Sequence, residues 1–292
     1  VETLSWRQLI ITLFKLRVVS LLLLSAFGGA ALGIVSGGEF SGWSLLLLAI
    51  SGTLSASGAS AINQYLERER DTRMRRTAKR PLATGQIPKP EIVLWLAGGM
   101  VVGASALAGL VGNWSLAFWL FMGAFIYVVV YTIWLKPRTT LNIVIGGAAG
   151  SCAVISGGAA VGATWVLPVW LLAALVFTWT PVHFWALALA YREDYVNADY
   201  PMLPAKVSSQ TAAFWTAVHT VLTAGLAISL GLLPQIDLLY LLIVGLSTVP
   251  LVKRTIALMY VQNRQTAFAL FGYSNLYLAI ILAVVMLAMI WR

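Results

Sequence analysis

Residues 42–71 read GWSLLLLAISGTLSASGASAINQYLERERD, an apolar stretch that passes without a break into a strongly charged one. Its first part, residues 42–65, has the length of about 20 mostly apolar residues that a helix needs to cross the hydrocarbon core of a bilayer. Acids and arginines follow directly. The stretch therefore predicts a membrane-crossing helix that ends in a polar site at one face of the membrane.

The composition of the whole chain agrees with this interpretation. Of its 292 residues, 60% are hydrophobic and 10% are charged, against about 25% charged residues in average soluble proteins. So few charges cannot cover a water-soluble surface, and the same hydrophobicity excludes a disordered chain. One cysteine and two histidines exclude a disulfide framework and any metal site built from several Cys or His ligands.

Nine apolar segments are long enough to span a bilayer. They lie at about residues 16–36, 42–65, 91–111, 115–135, 141–162, 166–189, 211–232, 237–257 and 267–290. Because the alternating pattern of a β-barrel is absent, we expect an all-α polytopic membrane protein. Two connections are long, at about 66–90 and 190–210, and the whole chain, 1–292, is expected to form a single integral-membrane domain.

The basic residues predict which side of the membrane each loop occupies. With the N-terminus in the cytoplasm, every Lys and Arg except Arg292 falls on the cytoplasmic side, as the positive-inside rule requires. The net charge of +9 then reflects loops beside anionic lipid headgroups, and no nucleic-acid partner is expected. Both long loops face the cytoplasm in this arrangement.

Asn63, Glu67 and Asp71 follow one another at four-residue spacing. Four residues advance an α-helix by about 400°, so the three side chains stack along one face with a small drift. Oxygen ligands on one face suit Mg²⁺, which takes one or two carboxylates and completes its shell with water and phosphate oxygens. Glu69 lies off this face and is expected to be solvated.

A basic run follows these acids and consists of Arg73, Arg75, Arg76, Lys79 and Arg80. Guanidinium groups bind phosphate oxygens through two parallel hydrogen bonds. Acids followed by bases at a membrane edge therefore suit a metal–diphosphate complex. A solvated cytoplasmic loop is the alternative, and it accounts for the arginines but not for the acidic stripe.

The second long loop carries three further acids, Glu193, Asp194 and Asp199. The predicted topology places it on the same side as the first acids, so the two loops could share one metal–phosphate ligand; a solvated acidic loop is the alternative. His183 and His219 are ionisable groups inside apolar segments, where such groups are functional candidates. Each either hydrogen-bonds a neighbouring helix or ligates haem iron if the substrate is a haem.

These motifs resemble the UbiA-type intramembrane prenyltransferases, which combine an Asn-x-x-x-acid-x-x-x-Asp element with a second acidic loop. Three longer stretches are similar to one branch of that family, the protoheme IX farnesyltransferases or haem O synthases. They are NQYLERERDTRMRRTAKRPLATGQI (63–87), YTIWLKPRTTLNIVIGGAAG (131–150) and TPVHFWALALAYREDYVNADYPMLP (180–204).

The resemblance implies a nine-helix bundle around a central cavity that opens toward the cytoplasm and laterally to lipid. Farnesyl diphosphate binds there with Mg²⁺, haem B accepts the farnesyl group on a vinyl carbon, and the products are haem O and diphosphate. The location implied is a prokaryotic plasma membrane or the mitochondrial inner membrane. A haem A synthase or a terminal-oxidase assembly is the implied partner.

The resemblance also assigns site residues. The catalytic residues are Asn63, Glu67, Asp71, Asp194 and Tyr131, and the metal ligands are Asn63, Glu67, Asp71 and Asp194, with Asp199 as a further candidate. The residues that bind diphosphate are Arg17, Arg76, Lys79, Arg80 and Lys136, and the candidates for haem binding are His183 and His219. The second motif departs from the common Asp-x-x-x-Asp pattern, because Ala198 stands four residues after Asp194 and Asp199 comes one position later.

Two other functions stay open. A UbiA-type enzyme with another acceptor, such as a quinone precursor or a chlorophyllide, would carry the same acidic motifs. A membrane transporter would use the acids to bind ions. Transporters place broken helices near the bilayer midplane, whereas the acids of this chain cluster at one membrane edge, which argues against transport.

Overall fold

A computed structural model describes residues 4–287, and every regular element in this range is helical. Nine of its helices are long and apolar enough to cross a membrane. They are α2 (Leu16–Val35), α3 (Gly42–Asp71), α4 (Pro90–Leu110), α5 (Trp114–Phe125) with its π-helical continuation Ile126–Leu135, α6 (Asn142–Gly146) with α7 (Ala148–Ala160), α8 (Leu167–Ala190), α11 (Ser209–Gly231), α12 (Leu238–Tyr260) and α13 (Arg264–Leu287). The shorter helices are α1 (Trp6–Leu13), α9 (Arg192–Asn197) and α10 (Leu203–Lys206).

The prediction of nine membrane-spanning helices is confirmed within the described range, with differences at the helix ends. Helix α3 continues to Asp71, whereas the predicted span ends at residue 65. The acidic residues therefore lie on the spanning helix itself and not on a loop after it. Helix α13 begins at Arg264, three residues before the predicted start of the ninth span.

Helices α2 and α7 pack with their backbones in contact. A methyl group on Gly29 would lie 1.9 Å from the Val154 carbonyl oxygen, and one on Gly157 would lie 1.8 Å from that of Ala26. Only glycine fits at such separations. In lipid no hydrophobic force draws helices together, and small residues promote association because they let backbones approach closely. This pair is central, since α2 also contacts α3 and α13 while α7 contacts α5 and α8.

Helix α1 lies outside the nine spans and was not predicted from the sequence. Its first turn is closed by a capping box, in which the Ser5 hydroxyl accepts from the Gln8 N–H and the Gln8 side chain accepts from the Ser5 N–H. At its last turn the Gln64 side chain of α3 donates to the carbonyls of Thr12 and Leu13, at 2.7 and 2.8 Å. Gln64 thereby satisfies acceptors that a helix end leaves free, and it fixes α1 against α3.

The second half of the fourth span, Ile126–Leu135, is π-helical. At its end the Lys136 N–H donates to the Tyr131 carbonyl, five residues earlier, at 2.7 Å. The rings of Tyr127 and Tyr131 stack with their centroids 5.8 Å apart. Short π-helical segments inside α-helices are frequent at functional sites, and this one brings both tyrosines and Lys136 beside the acidic end of α3.

Candidate active site

The acidic face predicted on α3 points into the protein. Asn63, Glu67 and Asp71 are 1%, 5% and 2% exposed, whereas the Glu69 side chain, on the opposite face, is 87% exposed. A buried carboxylate is costly unless a cation or several hydrogen bonds compensate its charge. The partners of Glu67 and Asp71 therefore determine what this site can bind.

Two cations from different parts of the chain hold these carboxylates. The Lys136 ammonium, at the end of the π segment, contacts Glu67 Oε1. The Arg80 guanidinium lies 2.7 Å from Asp71 Oδ2 and 3.9 Å from Glu67 Oε2. Burial lowers the pKa of Lys136, and the adjacent Glu67 carboxylate opposes that shift. Both cations were predicted to bind diphosphate, and the structure brings them to the predicted metal ligands.

A third cation, Lys15, reaches Asn63. The Lys15 ammonium donates to Asn63 Oδ1 at 2.6 Å and to the Tyr127 hydroxyl at 3.0 Å. The Asn63 amide nitrogen donates in turn to Thr132 Oγ1 at 3.1 Å, which fixes the orientation of the amide. We call the six residues Lys15, Asn63, Glu67, Asp71, Arg80 and Lys136 the acid–cation cluster.

Sequence reasoning assigned the basic residue near the first span to Arg17, but the structure brings Lys15 to the cluster and leaves Arg17 exposed. The cause is local. Lys15 has a positive φ of 48°, and this left-handed residue ends α1 and redirects the chain into α2. Burial holds the pKa of Lys15 well below its usual value, and the nearby Arg80 guanidinium lowers it further.

Four tyrosines lie beside the acid–cation cluster. Tyr131, Tyr195 and Tyr200 belong to one buried group, and Tyr127 stacks on Tyr131. The Lys136 ammonium lies 4.6 Å from the ring centroid of Tyr200 and 5.6 Å from that of Tyr131. Burial raises the pKa values of Tyr195 and Tyr200, so both phenols are neutral at physiological pH. We call these four residues the tyrosine cluster.

The second acidic loop contacts the first loop through Asp194, which lies in α9 and is buried. Its Oδ1 accepts from Arg75 Nε at 2.9 Å, and its Oδ2 accepts from the Arg76 backbone N–H at 3.2 Å. The neighbouring Glu193 pairs with another nitrogen of Arg75 at 3.0 Å. Asp194, which was predicted as a metal ligand, therefore contacts two consecutive arginines of the first long loop, and its metal role stays a prediction.

The structure leaves three other predicted site residues, Arg76, Lys79 and Asp199, at the surface. Asp199 has a positive φ of 50°, and its exposed side chain lies 3.7 Å from the Lys206 ammonium. Arg76 and Lys79 are exposed too, whereas Arg80, which follows Lys79, contacts Asp71. The metal role of Asp199 and the diphosphate roles of Arg76 and Lys79 stay predictions.

The two histidines lie deeper in the bundle than the acids. His183 of α8 stacks between Trp179 and Phe271, at 4.7 and 4.4 Å between centroids, and its Nδ1 lies 3.0 Å from Ser274 Oγ. Within the described part of the chain, Nδ1 of His219 is buried without a hydrogen-bond partner. Binding of haem iron by either residue stays a prediction.

A cavity of about 570 Å³ lies at the opposite ends of the helices from these acids. Three tryptophans line it, Trp43, Trp114 and Trp165, and none of the predicted site residues does so. The chemistry-bearing side chains are therefore gathered at one end of the bundle, where α3, the π segment and the two long loops meet.

The donors of the acid–cation cluster fit a Mg²⁺–diphosphate complex. Two carboxylates and one amide oxygen lie beside three cations. Among residues 4–287 no three His, Cys, Asp or Glu side chains are close enough to hold a metal by themselves. Two carboxylates beside cations suit Mg²⁺, because Mg²⁺ usually takes one or two carboxylates and fills its remaining positions with water and substrate phosphates.

The sequence profile described as the UbiA prenyltransferase family matches residues 22–279. The chain belongs to this family. It is therefore a prenyltransferase enzyme. It is 39% identical over 280 residues to a Protoheme IX farnesyltransferase of Sulfolobus acidocaldarius, an alignment that covers 96% of this chain and 95% of the relative. A second relative with this name, from Sulfurisphaera tokodaii, is 40% identical over 274 residues, which are 93% of this chain and 90% of that protein.

Solved structures share the fold of this UbiA prenyltransferase. One described as Digeranylgeranylglyceryl phosphate synthase superposes with a TM-score of 0.76 at 17% identity, over 98% of this chain and 99% of the other. A UbiA homolog from Archaeoglobus fulgidus bound to DMAPP and Mg²⁺ has a TM-score of 0.66 at 15% identity, over 94% and 98% of the two chains. At these identities the likeness shows the fold alone.

Three residues around the site of this UbiA prenyltransferase were missed or left without a role by sequence reasoning. Lys15 precedes the first span by one residue, Tyr200 lies in the second loop, and Arg75 lies in the first. A capping box at Ser5 and Gln8 signals a separate helix before Lys15, and this signal was overlooked. No local pattern indicates the contact of Arg75 with a residue more than a hundred positions later.

Proposed function

We propose that this enzyme transfers the farnesyl group of farnesyl diphosphate to a vinyl group of haem B, with addition of water, giving haem O and diphosphate. The prenyl-transfer part of the proposal rests on the acid–cation cluster, which combines buried carboxylates and buried cations at one membrane edge. The acceptor rests on the two relatives named Protoheme IX farnesyltransferase, each aligned over more than nine-tenths of this chain.

In the acid–cation cluster, the residues of α3 would bind the metal and the cations would bind the diphosphate. Asn63, Glu67 and Asp71 offer the oxygens that would hold Mg²⁺, which supplies positive charge against the charge that builds up on the departing diphosphate. Arg80 and Lys136 already contact these carboxylates, so their remaining N–H groups are placed to donate to phosphate oxygens. Donors fixed in a water-poor site stabilise developing charge without reorganisation.

The tyrosine cluster accounts for the fate of the farnesyl group. When the bond between C1 and the diphosphate oxygen breaks, its electron pair leaves with diphosphate and C1 becomes cationic. The vinyl π electrons then form the new carbon–carbon bond, and water adds to the remaining cation with loss of a proton. Aromatic faces attract such cations, and the buried rings of Tyr131 and Tyr195 keep water away from C1 until the carbon–carbon bond has formed.

An aromatic column between α8 and α13 is the surface that we assign to the porphyrin. Tyr191 contacts Phe268, Phe268 contacts Phe271, and Phe271 stacks on His183. The Arg264 guanidinium lies over the Tyr191 and Phe268 rings, 5.5 and 5.4 Å from their centroids. The Tyr191, Phe268 and Phe271 rings meet edge to face and form an apolar wall for the macrocycle. The cation at one end of the column suits the two propionate groups of haem B.

The setting of the reaction belongs to the same proposal. The basic residues of both long loops support a site at the cytoplasmic face of a prokaryotic plasma membrane, or at the corresponding face of a mitochondrial inner membrane. Both substrates are amphiphiles that enter from lipid. The product would pass to a haem A synthase or to a terminal-oxidase assembly.

A transfer assay tests the proposal. The purified protein is incubated in detergent with haem B, farnesyl diphosphate and Mg²⁺, and the extracted haem is analysed by mass spectrometry, with EDTA as a control. We expect a Mg²⁺-dependent mass increase of one farnesyl group plus one hydroxyl. Unchanged haem, together with consumption of the diphosphate when a phenolic acceptor is offered, would assign the enzyme to another acceptor.

A further inference from the structure

Arg254 is a charged residue inside a membrane-spanning helix, and the proposed reaction does not use it. It stands six residues before the end of α12 at Tyr260, which is about 9 Å along the helix axis. This end of α12 lies at the same end of the bundle as the second long loop, because the Gln262 side chain donates to that of Gln210, at the start of α11. Ionisable residues within membrane spans are rare and mark functional contacts by default.

The Arg254 side chain points toward the middle of the span and not toward the nearby helix end. One guanidinium nitrogen donates to the Pro250 carbonyl, four residues earlier, at 3.2 Å. Side chains on a helix lean toward its N-terminus, so an arginine near the C-terminal end of a span is directed away from the closer membrane surface. The guanidinium is therefore held within the span, where an uncompensated charge is costly.

An aromatic ring of the next helix faces this guanidinium. The Arg254 Cζ atom lies 4.4 Å from the ring centroid of Tyr273 in α13. The Tyr273 hydroxyl donates to the Ser247 carbonyl of α12 at 2.9 Å, which fixes the ring between the two helices. A guanidinium has five N–H donors, and within residues 4–287 this one forms a single hydrogen bond. Its remaining donors suit a ligand that supplies several oxygens.

The surrounding chain offers no carboxylate to balance the charge of Arg254. Asp237 is the only acid in the sequence from residue 200 to residue 292, and it caps the opposite end of α12. The buried cations Arg80 and Lys136, in contrast, both contact carboxylates. Because charges inside a membrane pair with a partner, the anion that compensates Arg254 is expected to come from outside the chain.

The groove between α12 and α13 opens toward lipid at this level. Helix α12 has the smallest buried share of the nine spans, and Val252 and Lys253, just before Arg254, are exposed. On α13, a methyl group at Gly272 would meet nothing within 4 Å. Lys253 adds a second positive charge at the rim of the groove. Basic pockets between membrane helices bind anionic lipid headgroups, and guanidinium groups bind phosphate oxygens through parallel hydrogen bonds.

We propose that the groove between α12 and α13 binds the phosphate group of an anionic phospholipid, with Arg254 as its main contact. The Tyr273 ring supports the guanidinium from behind, Lys253 lies at the rim, and the acyl chains run along the exposed apolar face of α12. This lipid site is separate from the acid–cation cluster, so it does not depend on the proposed function.

Native mass spectrometry of the full-length protein tests the lipid site. The delipidated protein in detergent is titrated with phosphatidylglycerol, and phosphatidylcholine and inorganic phosphate are the comparison ligands. The variants are Arg254→Gln and Tyr273→Leu. Arg138→Gln is the matched control, because Arg138 also donates to carbonyls of its own helical segment, those of Ile133 and Trp134, but is exposed and belongs to another part of the bundle.

We expect the wild type to bind one phosphatidylglycerol more tightly than any further copy. Arg254→Gln should weaken this first binding step by about 5- to 10-fold, the contribution of one basic residue beside an anionic lipid. Tyr273→Leu should weaken it by about 2- to 5-fold, the size of an exposed cation–π contact. Arg138→Gln should stay within about twofold of the wild type, since its charge is screened from the groove by salt.

Four results would overturn the proposal. They are an equal loss in Arg254→Gln and Arg138→Gln, equal affinity for phosphatidylcholine, displacement of the lipid by inorganic phosphate, and displacement by haem B. Displacement by phosphate would assign Arg254 to a soluble anion, and displacement by haem B would assign it to a haem propionate. If Arg254→Gln does not fold, Tyr273→Leu decides, because it leaves the guanidinium in place, and wild-type affinity in that variant would also overturn the proposal.

Discussion

The Lys15 ammonium lies 2.6 Å from Oδ1 of Asn63, the first of the three polar residues on the inner face of α3. Asn63 cannot turn its amide away, because its nitrogen donates to Thr132. A cation and a neutral oxygen are therefore held together at the inner end of the acid–cation cluster. A ligand that brings negative charge to this position gains Lys15 as a partner, and Asn63 keeps an oxygen available to a metal.

Lys15 should bind substrate, although sequence similarity assigned that role to Arg17. We expect Lys15→Met to lower kcat/KM for farnesyl diphosphate by about 100-fold, because it removes a buried donor to the diphosphate. Arg17→Gln is the matched comparison and should retain transfer within about threefold, since the Arg17 side chain is exposed. Steady-state kinetics of both variants decide the assignment, and equal losses would return the role to Arg17.

Binding of the diphosphate should take up protons at alkaline pH. Burial and Arg80 hold the pKa of free Lys15 below its usual value, and burial does the same for Lys136. A bound diphosphate anion raises both pKa values, so affinity increases as pH falls from about 10 toward neutrality. Calorimetry in buffers with different ionisation enthalpies measures the uptake, and Lys15→Arg should reduce it because arginine stays protonated. Uptake that is unchanged in this variant would remove Lys15 from the explanation.

Glu67 should be essential and Glu69 dispensable, although they are two residues apart. Glu67 is buried against Lys136, while Glu69 is solvated. We expect Glu67→Gln to lower farnesyl transfer by about 100- to 1000-fold and Glu69→Gln to leave it within about twofold. EDTA should reduce farnesyl transfer by the wild-type enzyme to the rate of the Glu67→Gln variant. A Glu67→Gln enzyme with nearly normal, Mg²⁺-dependent transfer would contradict the proposed metal site.

At Tyr131 the ring should matter more than the hydroxyl. Tyr131 stacks on Tyr127 and lies against the Lys136 ammonium, so it can shield a cation by its π face. We expect Tyr131→Phe to retain transfer within about threefold and Tyr131→Leu to lose about 10- to 30-fold, the size of a desolvated cation–π contact. Single-turnover rates with product analysis test this. Equal losses in the two variants would point to the hydroxyl instead.

The contact between α2 and α7 should tolerate no side chain at Gly29. A methyl group there would lie 1.9 Å from the Val154 carbonyl oxygen, so the helices would have to separate. We expect Gly29→Ala to cost about 1–3 kcal/mol of stability. Gly225→Ala is the control, because nothing lies within 4 Å of a methyl group at that position. Thermal unfolding in detergent compares them, and equal melting temperatures would contradict the packing described.

The features predictable from the sequence are those that depend on near neighbours along the chain. Helical periodicity alone places Asn63, Glu67 and Asp71 on one face, and their burial agrees with it. The number of spans follows in the same way from segment length and hydropathy. The end of α3 was predicted six residues too early, at residue 65 instead of Asp71. Its last turns are polar and are stabilised by contacts with other segments.

The remaining features depend on contacts between distant segments or on a single backbone angle. The position of Lys15 in the acid–cation cluster follows from one left-handed residue, which no hydropathy pattern reveals. The contact of Arg75 with Asp194 joins residues 119 positions apart. Tyr200 reaches Lys136 only because the second loop folds over the end of the π segment.

The π segment Ile126–Leu135 limits which changes of chain length the fourth span tolerates. A single deletion within it would carry every later residue of the span one position back along the helix. Every side chain after the deletion would rotate by about 100° around the helix axis. Lys136, which now contacts Glu67, would turn away from it. Apolar residues in this segment are therefore exchangeable for one another, whereas their number is not.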